Sequence, residues 1–446
     1  MPMADLPATP EASSLRRVVV ASLVGTSLEW YDFFIYGTAA ALVFNQLFFP
    51  RFEPLVGTLL AFTTYAVGFV SRPLGGIIFG HYGDRLGRKN VLVVTLLLMG
   101  IATFVIGLLP TYSTLGLWAP ILLVVLRFLQ GLGLGGEWGG AVLMTLESGK
   151  RERRGVNASW PQVGVPIGLL LANGVLSLTN AVMSEADFKS WGWRVPFLLS
   201  IVLVFFGIWI RTTIAESPLF RELALRRTGV RAPALEVLLQ YPKRVLLAIG
   251  ARVGVDVAFY TFVLFIATYI ATFLKLPRSY ALNAVLIAAA CQVGAIPCFG
   301  VLSDRYGRRP IYLLGAVGAA LWVFVFFALV DTGSFALIVV ATVIALLLHA
   351  AMYGPQASFI AEMFPTRVRY SGASMGYQLA GIVGGALAPI ISVALLGRYG
   401  SSLAVSLYVL AMLAVTTLCV FAAPETSRID LHADPIEAGG RSAPSS

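Results

Sequence analysis

Charge is sparse in this sequence. Of its 446 residues 12% are Asp, Glu, Lys or Arg, against roughly a quarter in a soluble globular chain, so a hydrated surface cannot be built around it. Histidine and cysteine are scarcer, with three of each. Cys291, Cys298 and Cys419 lie in apolar runs without ligand spacing, and His81, His349 and His432 form no cluster, which argues against a zinc site or a disulfide scaffold. No cofactor is expected. The apolar stretches also lack a His-rich metal set, a Ser/His pairing or paired carboxylates with a supporting base, so an intramembrane enzyme is not expected either. A cleavable leader is not evident, because the polar stretch from Met1 to Leu15 runs through Arg16 and Arg17 straight into a long apolar segment.

What the sequence has is hydrophobicity, at 58% of residues. A bilayer-spanning helix takes about 20 apolar residues, and this chain holds about twelve such runs. They are predicted to begin near Arg16, Pro54, Asn90, Trp118, Gly155 and Trp193, then near Lys243, Ser279, Pro310, Ser334, Val368 and Ser402. The expected organisation is a tail over 1–15, a six-helix bundle over 16–214, a polar linker over 215–242, a second six-helix bundle over 243–424 and a tail over 425–446. A net charge of +10 raises nucleic acid as a partner, yet the basic residues sit between the apolar runs. Most of the 32 Lys and Arg fall on one side of the twelve-span arrangement, which places both termini in the cytoplasm of a cell whose inner membrane the chain spans. A monomer is expected.

The chain repeats itself at about half its length. Gly80, Asp84, Arg85, Gly87, Arg88 and Lys89 return at the same spacing as Gly300, Asp304, Arg305, Gly307, Arg308 and Arg309. A second pair follows: Glu147 and Arg154 lead into Gln162 and Gly168 as Glu362 and Arg369 lead into Gln378 and Gly384. Glycine permits close helix approach, and an Asp facing basic groups or a helix N-terminus across the seam between the halves locks that seam. Gly80, Asp84, Arg85, Gly87, Arg88, Glu147, Arg154, Gly300, Asp304, Arg305, Gly307, Arg308, Glu362 and Arg369 are therefore the expected cytoplasmic gate.

This duplicated turn resembles the signature of the major facilitator superfamily, and the resemblance extends to about Pro424. More narrowly the chain is similar to the metabolite:proton symporter branch, whose members carry shikimate, dicarboxylates, citrate, betaine or proline. The stretches that carry the likeness are Leu28 to Phe34, Arg72 to Gly76, Arg127 to Gly140 and Trp191 to Phe197. In these stretches the shikimate type looks nearest. The resemblance implies an all-α fold of twelve transmembrane helices in two six-helix pseudo-repeats, with helices one, four, seven and ten lining the cavity.

Ionisable groups inside spans are costly and therefore functional candidates. Apart from Arg72, they lie on those four helices: Glu29 and Asp32, Arg127 and Glu137, Arg252 and Asp256, and His349. Helical spacing adds Tyr36, Gln130, Tyr260, Tyr353 and Gln356 to the same faces. The expected substrate cavity is thus Arg127, Arg252, Asp256, Tyr260, Tyr36, Gln130, Glu137, Trp138, Gln162, His349, Tyr353, Gln356 and Gln378. A first-span carboxylate facing a fourth-span arginine couples protons elsewhere in the superfamily, which implies that role for Asp32 and Arg127, with Glu29 beside them. The alternative for this pair is a permanent ion pair holding two helices together. Arg252 suits a substrate carboxylate, or is satisfied by Asp256 four residues on. Arg72 reads as an anchor that snorkels to the inner face, and Trp30, Tyr31 and Trp138 as packing or as contacts to a substrate ring. The expected function is proton-coupled symport of a small organic acid, shikimate-like or dicarboxylate-like, by alternating access. A betaine- or proline-type zwitterion symporter, an efflux antiporter and a non-transporting membrane sensor remain the alternatives.

Overall fold

A computed structural model describes residues 12–86, 88–135, 138–147, 151–213, 233–365 and 368–429. It is helical, with no strand among the described residues. The first half holds α1 (Ala12–Ala39), α2 (Pro54–Leu86), α3 (Arg88–Leu108), α4 (Trp118–Leu134, resuming as Trp138–Glu147), α5 (Arg154–Val182) and α6 (Val195–Thr213). The second holds α7 (Pro242–Tyr260), α8 (Arg278–Tyr306), α9 (Arg308–Val330), α10 (Phe335–Glu362), α11 (Arg369–Ala380, resuming as Leu387–Tyr399) and α12 (Ser402–Ala422). Each span begins within about one turn of its expected start. The predicted linker lies mostly outside the described residues; its described end forms a short helix, Pro233–Gln240.

Large apolar side chains such as Leu178, Phe205, Leu246, Leu321 and Phe421 point outward. In water that surface would be costly; in lipid it is the natural exterior. By contrast the apolar window of α7 is buried throughout, whereas that of α12 is 33% buried, so α7 stands in the centre and α12 at the rim. Sequence periodicity did not foresee the π turns that widen α1 at Ala40–Phe44, α7 at Thr261–Phe265 and Tyr269–Phe273, and α11 at Gly381–Ala386. Each lies in a helix facing the middle of the molecule, where a wider turn re-aims side chains without breaking the helix.

The two halves meet through α5 against α8 and through α2 against α11. Within the first half, α2 and α4 touch backbone to backbone. A Cβ at Gly131 would fall on the Ser71 hydroxyl and the Gly68 carbonyl oxygen, and one at Gly135 on the Arg72 carbonyl oxygen. Gly131→Ala is therefore expected to force the helices apart and destabilise the protein by about 1–3 kcal/mol, as overpacking does. A thermal melt of the detergent-solubilised variant checks it, and an unchanged midpoint would mean that the two helices slide freely.

Candidate substrate cavity and coupling site

On the first half, α1 turns Asp32 inward, 3% exposed, and its Oδ1 has no hydrogen-bond partner. Arg127 on α4 is fully buried. Its Nη1 donates to Gln130 Oε1 at 2.9 Å and its Nε to the Tyr65 carbonyl at 3.5 Å, while Nη2 is unpartnered. The guanidinium carbon lies 4.2, 4.3 and 4.7 Å from the ring centres of Phe33, Tyr36 and Tyr65, so cation–π attraction takes the place of a carboxylate. Asp32 and Arg127 form no direct ion pair.

They are linked indirectly. Gln130 Nε2 donates to Thr103 Oγ1 at 2.7 Å, and the Thr103 hydroxyl, which donates to the Met99 carbonyl at 2.9 Å, also lies against the Asp32 carboxyl. A hydroxyl oxygen accepts twice, so Thr103 can take one bond from Gln130 and another from a protonated Asp32. Thr103 on α3 was missed in the sequence because a neutral residue in an apolar run carries no cost that marks it. Tyr36, expected at the cavity, donates to Thr64 Oγ1 on α2 at 2.6 Å. Glu29 is buried on α1, and Tyr31 is spent on packing, donating to the Pro196 carbonyl.

On the second half, Arg252 Nε donates to Asp256 Oδ2 at 2.9 Å, and both groups are buried. The intrahelical pair anticipated as the alternative is thus formed, yet Arg252 Nη1 has no partner. The Arg252 guanidinium carbon sits 3.0 Å from the Tyr377 ring centre, and Tyr377 stacks on Trp138 with centroids 3.5 Å apart. Guanidinium, phenol and indole form a three-layer stack across the two halves. Trp138 Nε1 donates to Gln162 Oε1 at 3.0 Å, and Gln378 Nε2 crosses the seam to the Gly135 carbonyl at 3.3 Å. A second cross-seam cluster packs Tyr65 and Phe69 on Tyr260, and Phe34 on Phe259. Tyr353 and Tyr377 bring their hydroxyls to 3.4 Å.

Several expectations need adjusting. Arg72 does not snorkel to the inner face: it is 3% exposed and lies against Trp30, Phe33 and Phe69 in the interior. Gln356 donates to the Tyr312 hydroxyl on α9 at 2.9 Å, and its Oε1 is buried without a partner. His349 is buried, its Nδ1 2.8 Å from Gln292 Nε2 on α8 and its ring stacked on Tyr353; Gln292 was not anticipated. Glu137 lies outside the described residues.

At the end of the bundles where the gate was expected, the later copy of the duplicated turn is fully built. Asp304 accepts from the N–H groups of Gly155 and Val156 at 2.7 and 3.0 Å and from Arg308 Nη1 at 2.7 Å. It therefore caps the N-terminus of α5 across the seam. Arg308 also reaches Glu362 at 3.3 Å, and Arg369 Nε donates to the Phe364 carbonyl. Gly307 takes a φ of 101° at the turn, which suits glycine. Gly300 and Gly155 approach so closely that a Cβ on Gly155 would lie 2.7 Å from the Gly300 carbonyl oxygen. Arg305 packs over Tyr306 outside this set. In the earlier copy Gly87 lies outside the described residues, as do the side-chain surroundings of Gly80, Asp84, Arg85, Arg88 and Glu147.

The segment after α12 joins this gate. Glu425 accepts from the backbone N–H groups of Arg308 and Arg309 at 2.9 and 3.0 Å, and Thr426 donates to Glu362 Oε2 at 2.7 Å. Arg154 Nη1 reaches the Ile429 carbonyl at 3.0 Å. Burial pushes the Glu425 carboxyl up, but N–H donors of Ser427, Arg308 and Arg309 outweigh it and hold its pKa below the ordinary glutamate value.

Two helical bundles that seal charged groups at their midplane and close on each other by stacked rings and a capped helix end define a membrane transporter of the major facilitator type. The chain belongs to the sugar (and other) transporter family, whose profile matches residues 17–233 and 224–434. It is 42% identical over 424 residues to the shikimate transporter of Escherichia coli (strain K12), covering 94% of this chain and 97% of that one. It is 33% identical to the proline/betaine transporter of the same organism, covering 91% of this chain and 82% of the relative. The fold matches the partially occluded inward-open xylose transporter XylE from E. coli with a TM-score of 0.69 at 18% identity, over 94% and 100% of the two chains. The family is one of multi-pass membrane transporters, so this chain moves small molecules and is not an enzyme.

Proposed function

We propose that this protein is a proton-coupled symporter of a small organic acid, shikimate-like or dicarboxylate-like, working by alternating access. The observation that carries the reading is Asp32, buried with an unpartnered oxygen, while Arg127 is held apart by Gln130 and three rings. A buried unpaired carboxylate is costly and a proton removes that cost; a guanidinium has no such escape. Asp32 is the proton carrier, Thr103 and Gln130 connect it to Arg127, and Glu29 stands near. Arg127 and Arg252 give the cavity a preference for anions. A likeness to a shikimate transporter supports the acid reading. The likeness to a proline/betaine transporter supports the zwitterion reading, in which a quaternary amine would rest against Trp138 and Tyr377.

The gate is the Asp304, Arg308 and Glu362 cluster with Arg154 and Arg369, and the two six-helix halves rock about it. The protein acts as a monomer in the inner membrane with both termini in the cytoplasm. Uptake of labelled shikimate, succinate and glycine betaine into vesicles tests the function. An inward proton gradient is expected to raise accumulation of the acid and a protonophore to abolish it; uptake indifferent to the gradient removes proton coupling.

A further inference from the structure

The arginine that the sequence reading set aside has the chemistry of a ligand site. Arg72 is buried on α2, and among the described residues no carboxylate pairs with it; its Nε and Nη2 both lack a partner. These two nitrogens are not scattered. They form one edge of the guanidinium, the edge whose parallel N–H bonds match the two oxygens of a carboxylate. A buried arginine that leaves this edge empty forgoes bonds worth more in a dry interior than in water. The face of the same guanidinium is satisfied by the rings of Phe33 and Phe69 at 4.3 and 4.4 Å, so its orientation is fixed while its edge stays open. Across the seam, Arg252 offers a second unpartnered donor, Nη1, and Phe69, which covers Arg72, packs on Tyr260, two turns along α7 from Arg252. Asp256, the acid in that region, is already held by Arg252. Two guanidinium groups, one from each half, thus keep unpartnered donors in the interior.

We propose that Arg72 is the residue that grips the cargo's carboxylate, through its Nε and Nη2, with Arg252 Nη1 closing on the same group from the opposite half. The cargo is an organic acid whose carboxylate spans the seam and whose apolar body lies against Trp30 and Phe33. This deepens the acid reading above and rests on it. Binding then draws α2 and α7 together, which gives the transporter a reason to occlude only when an anion is present. Arg127, by contrast, has its Nε and Nη1 engaged by the Tyr65 carbonyl and Gln130, leaving Nη2 alone without a partner, and answers to Asp32.

Counterflow exchange in proteoliposomes without a proton gradient tests this separately from coupling. Half-saturation concentrations are measured for shikimate and for its uncharged methyl ester. Wild type is expected to prefer the acid by ~100-fold, the worth of a buried bidentate charge pair. Arg72→Gln is expected to lose nearly all of that preference, and Arg72→Lys, which keeps the charge but not the edge, to fall about tenfold. A merely structural Arg72 would weaken acid and ester alike and leave their ratio intact, and that result overturns the proposal. If Arg72→Gln fails to insert or melts early, Arg72→Lys decides, since an unchanged ratio there overturns it equally. Should wild type exchange shikimate, benzoate and succinate all too weakly to measure, the organic-acid reading falls. Should it exchange one of them while Arg72→Gln keeps its acid preference, this inference alone falls.

Discussion

Asp32→Asn is expected to abolish gradient-driven accumulation while leaving exchange of cargo intact. The amide has the shape of the neutral acid and can still donate to Thr103, so the link through Gln130 to Arg127 survives; what it cannot do is take up and release a proton. An imposed gradient of one pH unit is worth about 1.4 kcal/mol per proton, which supports about tenfold accumulation if one proton accompanies each cargo. In the variant the internal concentration should level at the external one. Counterflow, which needs no net proton movement, should proceed at a rate comparable to wild type. Tenfold accumulation that persists in Asp32→Asn would transfer the coupling role elsewhere, with Glu29 the next group to test.

The second large effect is expected at the inner seam. Asp304→Ala strips the acceptor from two α5 N–H groups and one of the two acidic partners from Arg308. Removing one member of a buried pair costs about 3–5 kcal/mol, and a figure near 2 kcal/mol suits a carboxylate partly open to water. Since the lost contacts hold the seam shut at this end, the penalty falls on the closed state and shifts the population toward the state open at this end by about 30-fold. The check is maleimide labelling of a cysteine placed at Ser374, which faces Gly139 across the seam, in a background without Cys291, Cys298 and Cys419. Labelling should quicken by at least about tenfold in Asp304→Ala, and gradient-driven uptake should slow because the outward-facing state is rarely visited. Equal labelling rates would show that the cap does not govern the seam.

The helices were legible because hydrophobic length and a charge-free run leave little choice in a bilayer. The duplicated turn was legible for a different reason: it spends charge where the rest of the chain avoids it, so Asp304, Arg308 and Glu362 stand out by type and spacing before any coordinate is known. The cavity was only half visible. Asp32, Arg127, Arg252 and Asp256 announced themselves by cost, but apart from the Arg252–Asp256 pair their surroundings are neutral. Thr103, Gln292 and Tyr65 look like any other residue in an apolar helix, and only the fold brings α3 and α8 to the acids and bases. Arg72 was seen and misjudged, because distance from the helix end suggested a side chain reaching for water, whereas the rings of Phe33 and Phe69 hold it inward. Helical phase marked Gln356 but could not supply its partner, Tyr312 on α9, which accepts from its amide. Phase also drifts wherever a π turn inserts an extra residue per turn, and α7 and α11 each carry one beside the cavity.

Of the two look-alike turns, the later one is fastened by the stretch that follows the final span. Glu425 and Thr426 ride with α9 and α10, whereas Ile429 is gripped by Arg154 of the opposite bundle. When this face parts, the buckle formed by Arg154 and Ile429 must be undone while the rest of the strap travels with its own side. The toll for parting this face is thus partly set by residues that never meet the cargo.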